Sequence, residues 1–232
     1  TALHIACTYG YLELVKLLLA HNADVDSFMT YLDQEATALH LATQELHRDV
    51  VELLLQSGAD VNAKNGDGNT ALLIASGAEN QESEQHEIVA LLLQYGADIH
   101  VKDTEGQTAL RRACKARHSK IVKLLLDQGA DVNERDENKC TLLHHTLDDC
   151  CVGCDEDEKK IIIKTLLSYG VEIDAQDQNG LSALHNLILN SDEGSDCYQL
   201  AEWLLTLGAN ANVQDENGNT ALHAATEGNL LY

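Results

Sequence analysis

A four-residue pattern, Thr-Ala-Leu-His at residues 1–4, returns along the whole length of this 232-residue chain. The later copies begin at Thr37, Thr70, Thr108, Thr141, Ser182 and Thr220. The intervals between successive starts are 36, 33, 38, 33, 41 and 38 residues. A fixed unit with short insertions produces such intervals, so the pattern predicts a repeat architecture.

A second pattern closes each unit, and its clearest copies are residues 53–60, 91–98 and 124–131. Each copy is a leucine-rich segment that ends in Gly, where the chain is expected to turn through the left-handed region. The spacing of Leu12, Val15 and Leu19 is helical, and the opening Thr is a good N-cap. Polar, turn-rich segments such as residues 62–69 follow. Each unit is therefore predicted to be helix, turn, helix and an extended hairpin-like finger.

These residues resemble ankyrin repeats, whose pattern is Thr-Pro-Leu-His-x-Ala followed later by Gly-Ala-Asp-Val-Asn. Ala or Leu142 stands at the Pro position here, and Leu73 and Arg111 replace the His in two units. The resemblance implies an all-α solenoid of stacked helix-turn-helix units with β-hairpin fingers, in which the motif His ties neighbouring units together. We expect a single domain over 1–232, with repeats at about 1–32, 33–65, 66–103, 104–136, 137–177 and 178–215 and a partial repeat at 216–232. Neither end has a polar cap, so we expect further repeats or another domain beyond both.

The charge balance narrows the classes of partner. The chain has 38 acidic and 15 basic residues and a formal net charge of −23, which disfavours nucleic acid. A hydrophobic content of 44% argues against a disordered acidic tail, and no apolar run reaches the ~20 residues of a membrane helix. Seven cysteines, an odd number, fit a reducing compartment, so we expect a cytoplasmic or nuclear protein. No motif of an enzyme or a cofactor site occurs, and the oligomeric state is left open.

The resemblance to ankyrin repeats implies that partners bind along a concave face made by the finger tips and the first helix of each unit. The acidic excess at the tips predicts a basic peptide or surface as partner, against the alternative of a solvated rim. Phe28 and Met29 are either a binding hot spot or a cover for the neighbouring helices. Arg111 and Lys115 are either a local anion site or a charge balance between units. The candidate residues are Tyr9, Phe28, Met29, Tyr31, Asp33, Glu35, Glu45, Asp67, Asp103, Glu105, Arg111, Lys115, Asp136, Glu137, Asp177, Asp215 and Glu216.

Two weaker hypotheses concern a metal and a modification. Cys150, Cys151 and Cys154 offer thiolates to zinc, although free thiols in a loop are the simpler interpretation. The resemblance makes Asn62 and Asn133 candidates for asparaginyl hydroxylation, with an ordinary hairpin residue as the alternative. Our first hypothesis is a protein-interaction scaffold without catalytic activity. The alternatives are a targeting or regulatory arm of a larger enzyme or membrane protein, and a mechanical spacer.

Overall fold

The computed structural model describes residues 1–31, 34–78, 82–147, 156–190 and 197–227. The chain forms two compact units, unit 1 over residues 1–130 and unit 2 over residues 131–232. Both units are built from pairs of helices, a short first helix and a second helix that follows it. This mostly helical repeat architecture confirms the predicted fold class.

The described residues of unit 1 form four helix pairs and one strand hairpin, which lies between the first two pairs. The first helices pack on one another in chain order, and the second helices do the same. The helices are α1 (Ala2–Thr8), α2 (Leu12–Ala20), α3 (Ala38–Gln44), α4 (Arg48–Gln56), α5 (Ala71–Gly77), α6 (Glu82–Gln94), α7 (Ala109–Lys115) and α8 (Ser119–Asp127), and the strands are β1 (Met29–Tyr31) and β2 (Gln34–Ala36).

Unit 2 repeats this arrangement, with the first helices α9, α11 and α13 packed in chain order. Its helices are α9 (Leu142–Leu147), α10 (Glu156–Ser168), α11 (Ala183–Leu189), α12 (Cys197–Thr206) and α13 (Ala221–Glu227). Within the described ranges, β1 and β2 form the one two-stranded sheet, an antiparallel hairpin in which Met29 pairs with Ala36. The remaining fingers are tight turns rather than strand pairs.

The largest side chains in the core of unit 1 are leucines and isoleucines, which pack between neighbouring helices. Leu39, Leu54, Leu72, Ile88 and Leu110 are fully buried. Burial of each such side chain contributes about 1.5–3 kcal/mol, and a single helix pair has no second layer against which to bury them. Stability therefore comes from the stacking of successive repeats.

Where a repeat has the motif His, this side chain joins the first helix to the finger that follows it. The Thr37 backbone N–H donates to His40 Nδ1 at 3.1 Å, which leaves the ring hydrogen on Nε2. His40 Nε2 then donates to the carbonyls of Ala63 at 3.0 Å and Asn69 at 2.9 Å. The same two-sided arrangement holds His144 and His185. These histidines have the linking role that the resemblance implied.

The long intervals of two repeats are partly accounted for by extra helix. The second helices α6 and α10 have 13 residues each, against 9 in α4. Glu and Gln are good helix formers, and the segment from Glu82 onward is helical. Glu82 Oε1 accepts a hydrogen bond of 2.8 Å from the Lys120 backbone N–H and so caps α8 of the next repeat.

Candidate partner-binding surface

Each finger after the first ends in a five-residue turn that its first residue holds closed. Asp103 Oδ1 accepts hydrogen bonds of 2.8 Å from the backbone N–H groups of both Glu105 and Gln107. The Asp103 N–H in turn donates to the Gln107 carbonyl at 3.1 Å. This is the Asx-turn chemistry for which Asp and Asn are suited. The equivalent first residues, with the same bonds, are Asn65, Asp136, Asp177 and Asp215.

This arrangement divides the predicted row of carboxylates into two groups. Asp103, Asp136, Asp177 and Asp215 use their carboxylates inside the turn. The Asp103 side chain is only 2% exposed, so the expectation that it presents a carboxylate to a partner is wrong. Asp136 also accepts a hydrogen bond of 2.9 Å from His145 Nε2. These four carboxylates hold the shape of the fingers, and their oxygens are already engaged by hydrogen bonds within the turn.

The environment keeps two of the turn carboxylates ionised. Burial is the largest influence on Asp103 and by itself raises its pKa. The hydrogen bond from the Gln107 N–H and the nearby Arg112 guanidinium outweigh it, and the pKa of Asp103 lies below its usual value. At Asp215 the hydrogen bond from the Asn219 N–H lowers the pKa in the same direction. Both turns are therefore in their bonded form at neutral pH.

The second group, at the tips, is free to meet a partner. Glu35 of β2 and Asp67 and Glu105 of the next two turns are exposed in unit 1. Glu137 and Glu216 are exposed in unit 2. None of these five carboxylates closes a turn in the described structure, and Glu105 bonds only the side chain of Gln107 at 2.6 Å. We call the residues Glu35, Asp67 and Glu105 the acidic tips of unit 1.

Hydrogen bonds between neighbouring fingers fix the tips of each unit in a row. In unit 1 the Gly66 N–H donates to the Glu35 carbonyl at 2.8 Å, and Lys64 Nζ donates to the Lys102 carbonyl at 3.2 Å. The Thr104 hydroxyl donates to the Asp67 carbonyl at 3.2 Å. In unit 2, Arg135 and Gln176 reach the next finger in the same way. The tip carboxylates are thus carried on fingers that hydrogen bonds join to one another within each unit.

One cation beside the fingers, Arg112, was not among the candidate residues. Arg112 Nη2 lies 2.5 Å from Asp103 Oδ2 and 2.6 Å from Asn69 Oδ1, and Nη1 donates to the Leu73 carbonyl at 3.2 Å. Arg112 therefore supplies hydrogen bonds in the repeat whose motif His is replaced by Leu73. The sequence pointed to Arg111 instead, but Arg111 is only 3% exposed at the position of the motif His. Arg111 is therefore buried whereas Lys115 is exposed, so the two side chains do not form the predicted local anion site together.

The remaining candidates lie at helix ends and in the first finger. Tyr9 is 65% exposed and stacks on Tyr11 with ring centroids 5.7 Å apart. Tyr9, Glu45 and Lys115 are exposed at the C-terminal ends of first helices, about 10 Å from the fingers at the N-terminal ends. Phe28 is 49% exposed and Met29 is half-buried. The side chain of Tyr31 and all of Asp33 lie outside the described residues.

The structure bears on the metal and modification hypotheses only in part. Cys150, Cys151 and Cys154 lie outside the described residues. In the parts of the chain that are described, no group of three or more His, Cys, Asp or Glu is placed to hold a metal ion. Asn62 Oδ1 accepts a hydrogen bond of 2.8 Å from the Asp98 N–H, so this side chain links two repeats. Asn133 is exposed, and its N–H donates to Asp131 at 2.9 Å. Hydroxylation of either Asn stays a prediction.

No helix in the described ranges has the length and apolar character needed to cross a membrane. Among curated protein sequences, none matches the chain significantly. In solved structures, the chain is similar to the ankyrin repeat domain of Bcl-3, described as a unique member of the IkappaB protein family. That match has 27% identity and a TM-score of 0.77, and covers 97% of this chain and 93% of the other.

The sequence profile described as "Ankyrin repeats (3 copies)" matches residues 1–65, 60–136, 80–154 and 150–231. These overlapping matches account for nearly all of the sequence, and the architecture of both units agrees with them. The fold is one used for binding other proteins. The chain therefore belongs to the ankyrin repeat family.

Proposed function

We propose that this chain is a non-catalytic scaffold whose acidic tips bind a basic segment of a partner protein. The observation that carries the proposal is the separation of two kinds of carboxylate on the fingers. Those at the first turn position are occupied by backbone N–H groups, whereas Glu35, Asp67 and Glu105 are exposed. Charges that are exposed on an ordered row attract and orient an opposite charge without first having to be ordered themselves.

The net charge of both units also favours a partner with positive charge. Unit 1 has 18 acidic and 10 basic residues, and unit 2 has 20 and 5, so subtraction gives −8 and −15. Neighbouring repeats lie about 8–10 Å apart, close to the ~8 Å Debye length at physiological salt. The tips therefore act together on a cation near the row, and more strongly at low salt. The expected consequence is fast, salt-sensitive association rather than high affinity from the charges alone.

The test is binding of a fluorescent Lys-rich peptide to the whole chain, measured by anisotropy at about 50 mM and about 500 mM salt. Asp67→Asn combined with Glu105→Gln should weaken low-salt binding about fivefold, since each exposed pair contributes roughly 0.5 kcal/mol. The matched control is Glu84→Gln combined with Asp127→Asn, which removes two exposed charges from the second helices α6 and α8. Equal weakening in both double variants would mean that net charge alone attracts the peptide, and the proposed site would be refuted.

A further inference from the structure

A line of apolar side chains accompanies the acidic tips of unit 1. Ile5, Leu41 and Ile74 each stand four residues after the capping Thr of their first helix. Ile5 is 56% exposed, and Leu41 and Ile74 are half-buried. In the next repeat the same position is Arg112, whose guanidinium contacts Asn69 and Asp103 of two successive fingers. We call Ile5, Leu41 and Ile74 the apolar stripe.

The contacts of Arg112 locate the stripe. The side chain of Arg112, four positions after its capping Thr, contacts Asp103 and Asn69 of the fingers. This position of the first helix therefore faces the fingers. In unit 2, His145 occupies the same position and contacts its own finger at Asp136. The first helices of unit 1 pack in order, so equivalent positions on them form a line beside the tips.

This combination of surfaces is specific to unit 1. The positions that correspond to the stripe in unit 2 hold His145, Asn186 and Ala224, which offer little apolar surface. Unit 1 therefore has an apolar line beside an acidic line, and the complementary occupant has an apolar side and a basic side. A purely charged peptide would leave the stripe uncovered, whereas a purely apolar one would leave the tips without a counter-charge.

The spacing of the repeats selects the conformation of that occupant. Packed helices lie about 8–10 Å apart, so the stripe offers one apolar contact in each such interval. A polyproline II segment advances about 9.3 Å in three residues and returns to the same face. A β-strand returns to the same face after about 6.7 Å, and an α-helix comes near this spacing only once in seven residues, at about 10.5 Å.

We propose that unit 1 binds an extended protein segment in the polyproline II conformation, with an apolar residue at every third position and a basic residue beside it. The apolar side chains lie on the stripe and the basic side chains face the acidic tips. This inference rests on the proposed function, since it specifies the class of basic segment that the tips attract.

The test compares three labelled peptides on the whole chain: three Leu-Lys-Pro units, three Gln-Lys-Pro units, and a Leu-Lys repeat of period two with equal numbers of Leu and Lys. The Leu-Lys-Pro peptide should bind about tenfold more tightly than each of the other two, because only it combines the apolar contacts with their spacing. If the Gln-Lys-Pro peptide binds as tightly and remains salt-sensitive, the stripe is refuted while the acidic tips stand. If no peptide binds at low salt, both proposals fail. Equal binding of the period-two peptide would refute the conformation.

A matched pair of variants locates the apolar contacts. Ile5→Gln and Leu17→Gln alter side chains of the same exposure, 56%, on the first and second helix of one repeat. Ile5→Gln should weaken the Leu-Lys-Pro peptide about fivefold and leave the Gln-Lys-Pro peptide unchanged, whereas Leu17→Gln should change neither. Both variants should keep the circular dichroism of the parent. A loss of self-association in Ile5→Gln with unchanged peptide binding would assign the stripe to a second copy of the chain and overturn the proposal.

Discussion

Replacement of Arg112 by Leu tests whether the missing motif His in one repeat is compensated by its neighbour. The guanidinium is 21% exposed and pairs with an Asp103 side chain that is 2% exposed. It also holds the side chain of Asn69 and the carbonyl of Leu73, at 2.6 and 3.2 Å. Leu retains the aliphatic stem, which packs so closely on Gly77 that a Cβ there would lie 3.2 Å from Arg112 Cδ. The change therefore removes hydrogen bonds and charge with little loss of packing.

The expected loss of unfolding free energy follows from the groups that Arg112→Leu leaves without an ion pair or hydrogen bond. Removal of one member of a buried ion pair costs about 3–5 kcal/mol, mainly because the other charge stays buried. Asp103 keeps two backbone N–H donors, and water has partial access to Arg112, so the lower end applies. We expect Arg112→Leu to lower the free energy of unfolding by about 3 kcal/mol. Adding Asp103→Asn should restore about 1–2 kcal/mol, because the turn acceptor remains while the buried charge is removed.

Urea unfolding followed by far-UV circular dichroism measures these differences. The control is Arg48→Leu, which removes an exposed guanidinium that pairs with Asp49, Glu52 and Glu87 and should lower the free energy of unfolding much less than Arg112→Leu does. If Arg112→Leu is no more destabilising than Arg48→Leu, or if Asp103→Asn worsens it, the compensation argument is refuted.

Two further predictions concern pH and backbone conformation. Burial, the largest influence, lowers the pKa of His4 and His40 below the usual value, so the unfolded chain binds more protons in mild acid. Their contribution to stability is complete above about pH 6.5, the pKa in the unfolded chain, and is lost as the pH falls through their lower pKa in the folded chain. The urea midpoints at pH 7.5 and pH 5 should therefore differ less in His40→Gln than in the parent. An undiminished difference would contradict this. Lys139 has a φ of +60° at the turn position where other fingers have Gly. Lys139→Gly should raise the free energy of unfolding by about 0.5 kcal/mol, because the backbone strain that is relieved exceeds the entropy that Gly adds to the unfolded chain. A lower thermal midpoint in this variant would exclude strain at Lys139.

Much of the architecture was readable because it depends on local rules that repeat. Capping Thr residues and leucine spacing located the helices, and the Gly after the leucine-rich segment turns through the left-handed region as predicted, for example Gly58 with a φ of +90°. The role of the motif His followed from the resemblance, and the hydrogen bonds of His40 agree with it. Features that recur in every unit are supported by several copies of the same signal.

The errors concern side chains whose role depends on residues distant in the sequence. Arg111 and Arg112 are adjacent and chemically identical, but the repeat register places Arg111 at the buried position of the motif His. The bond from Arg112 to Asp103 depends on how two fingers pack against α7. Asp103 itself was recoverable from the sequence, since Asp followed by Gly three residues later is typical of a turn held by a carboxylate. The turn needs Asp103 Oδ1 as a hydrogen-bond acceptor, so this residue does not belong with the exposed acids.

The two groups of finger carboxylates also bear on how such a chain changes over generations. The residues that close each turn, such as Asp103, are separate from the tip residues, such as Asp67 and Glu105. Under the proposed function, a mutation at a tip alters the charge that a partner meets without removing an acceptor of the turn beneath it. Recognition can therefore drift one finger at a time while every intermediate still folds, and the same separation lets an engineer randomise the tips as a library on a constant scaffold.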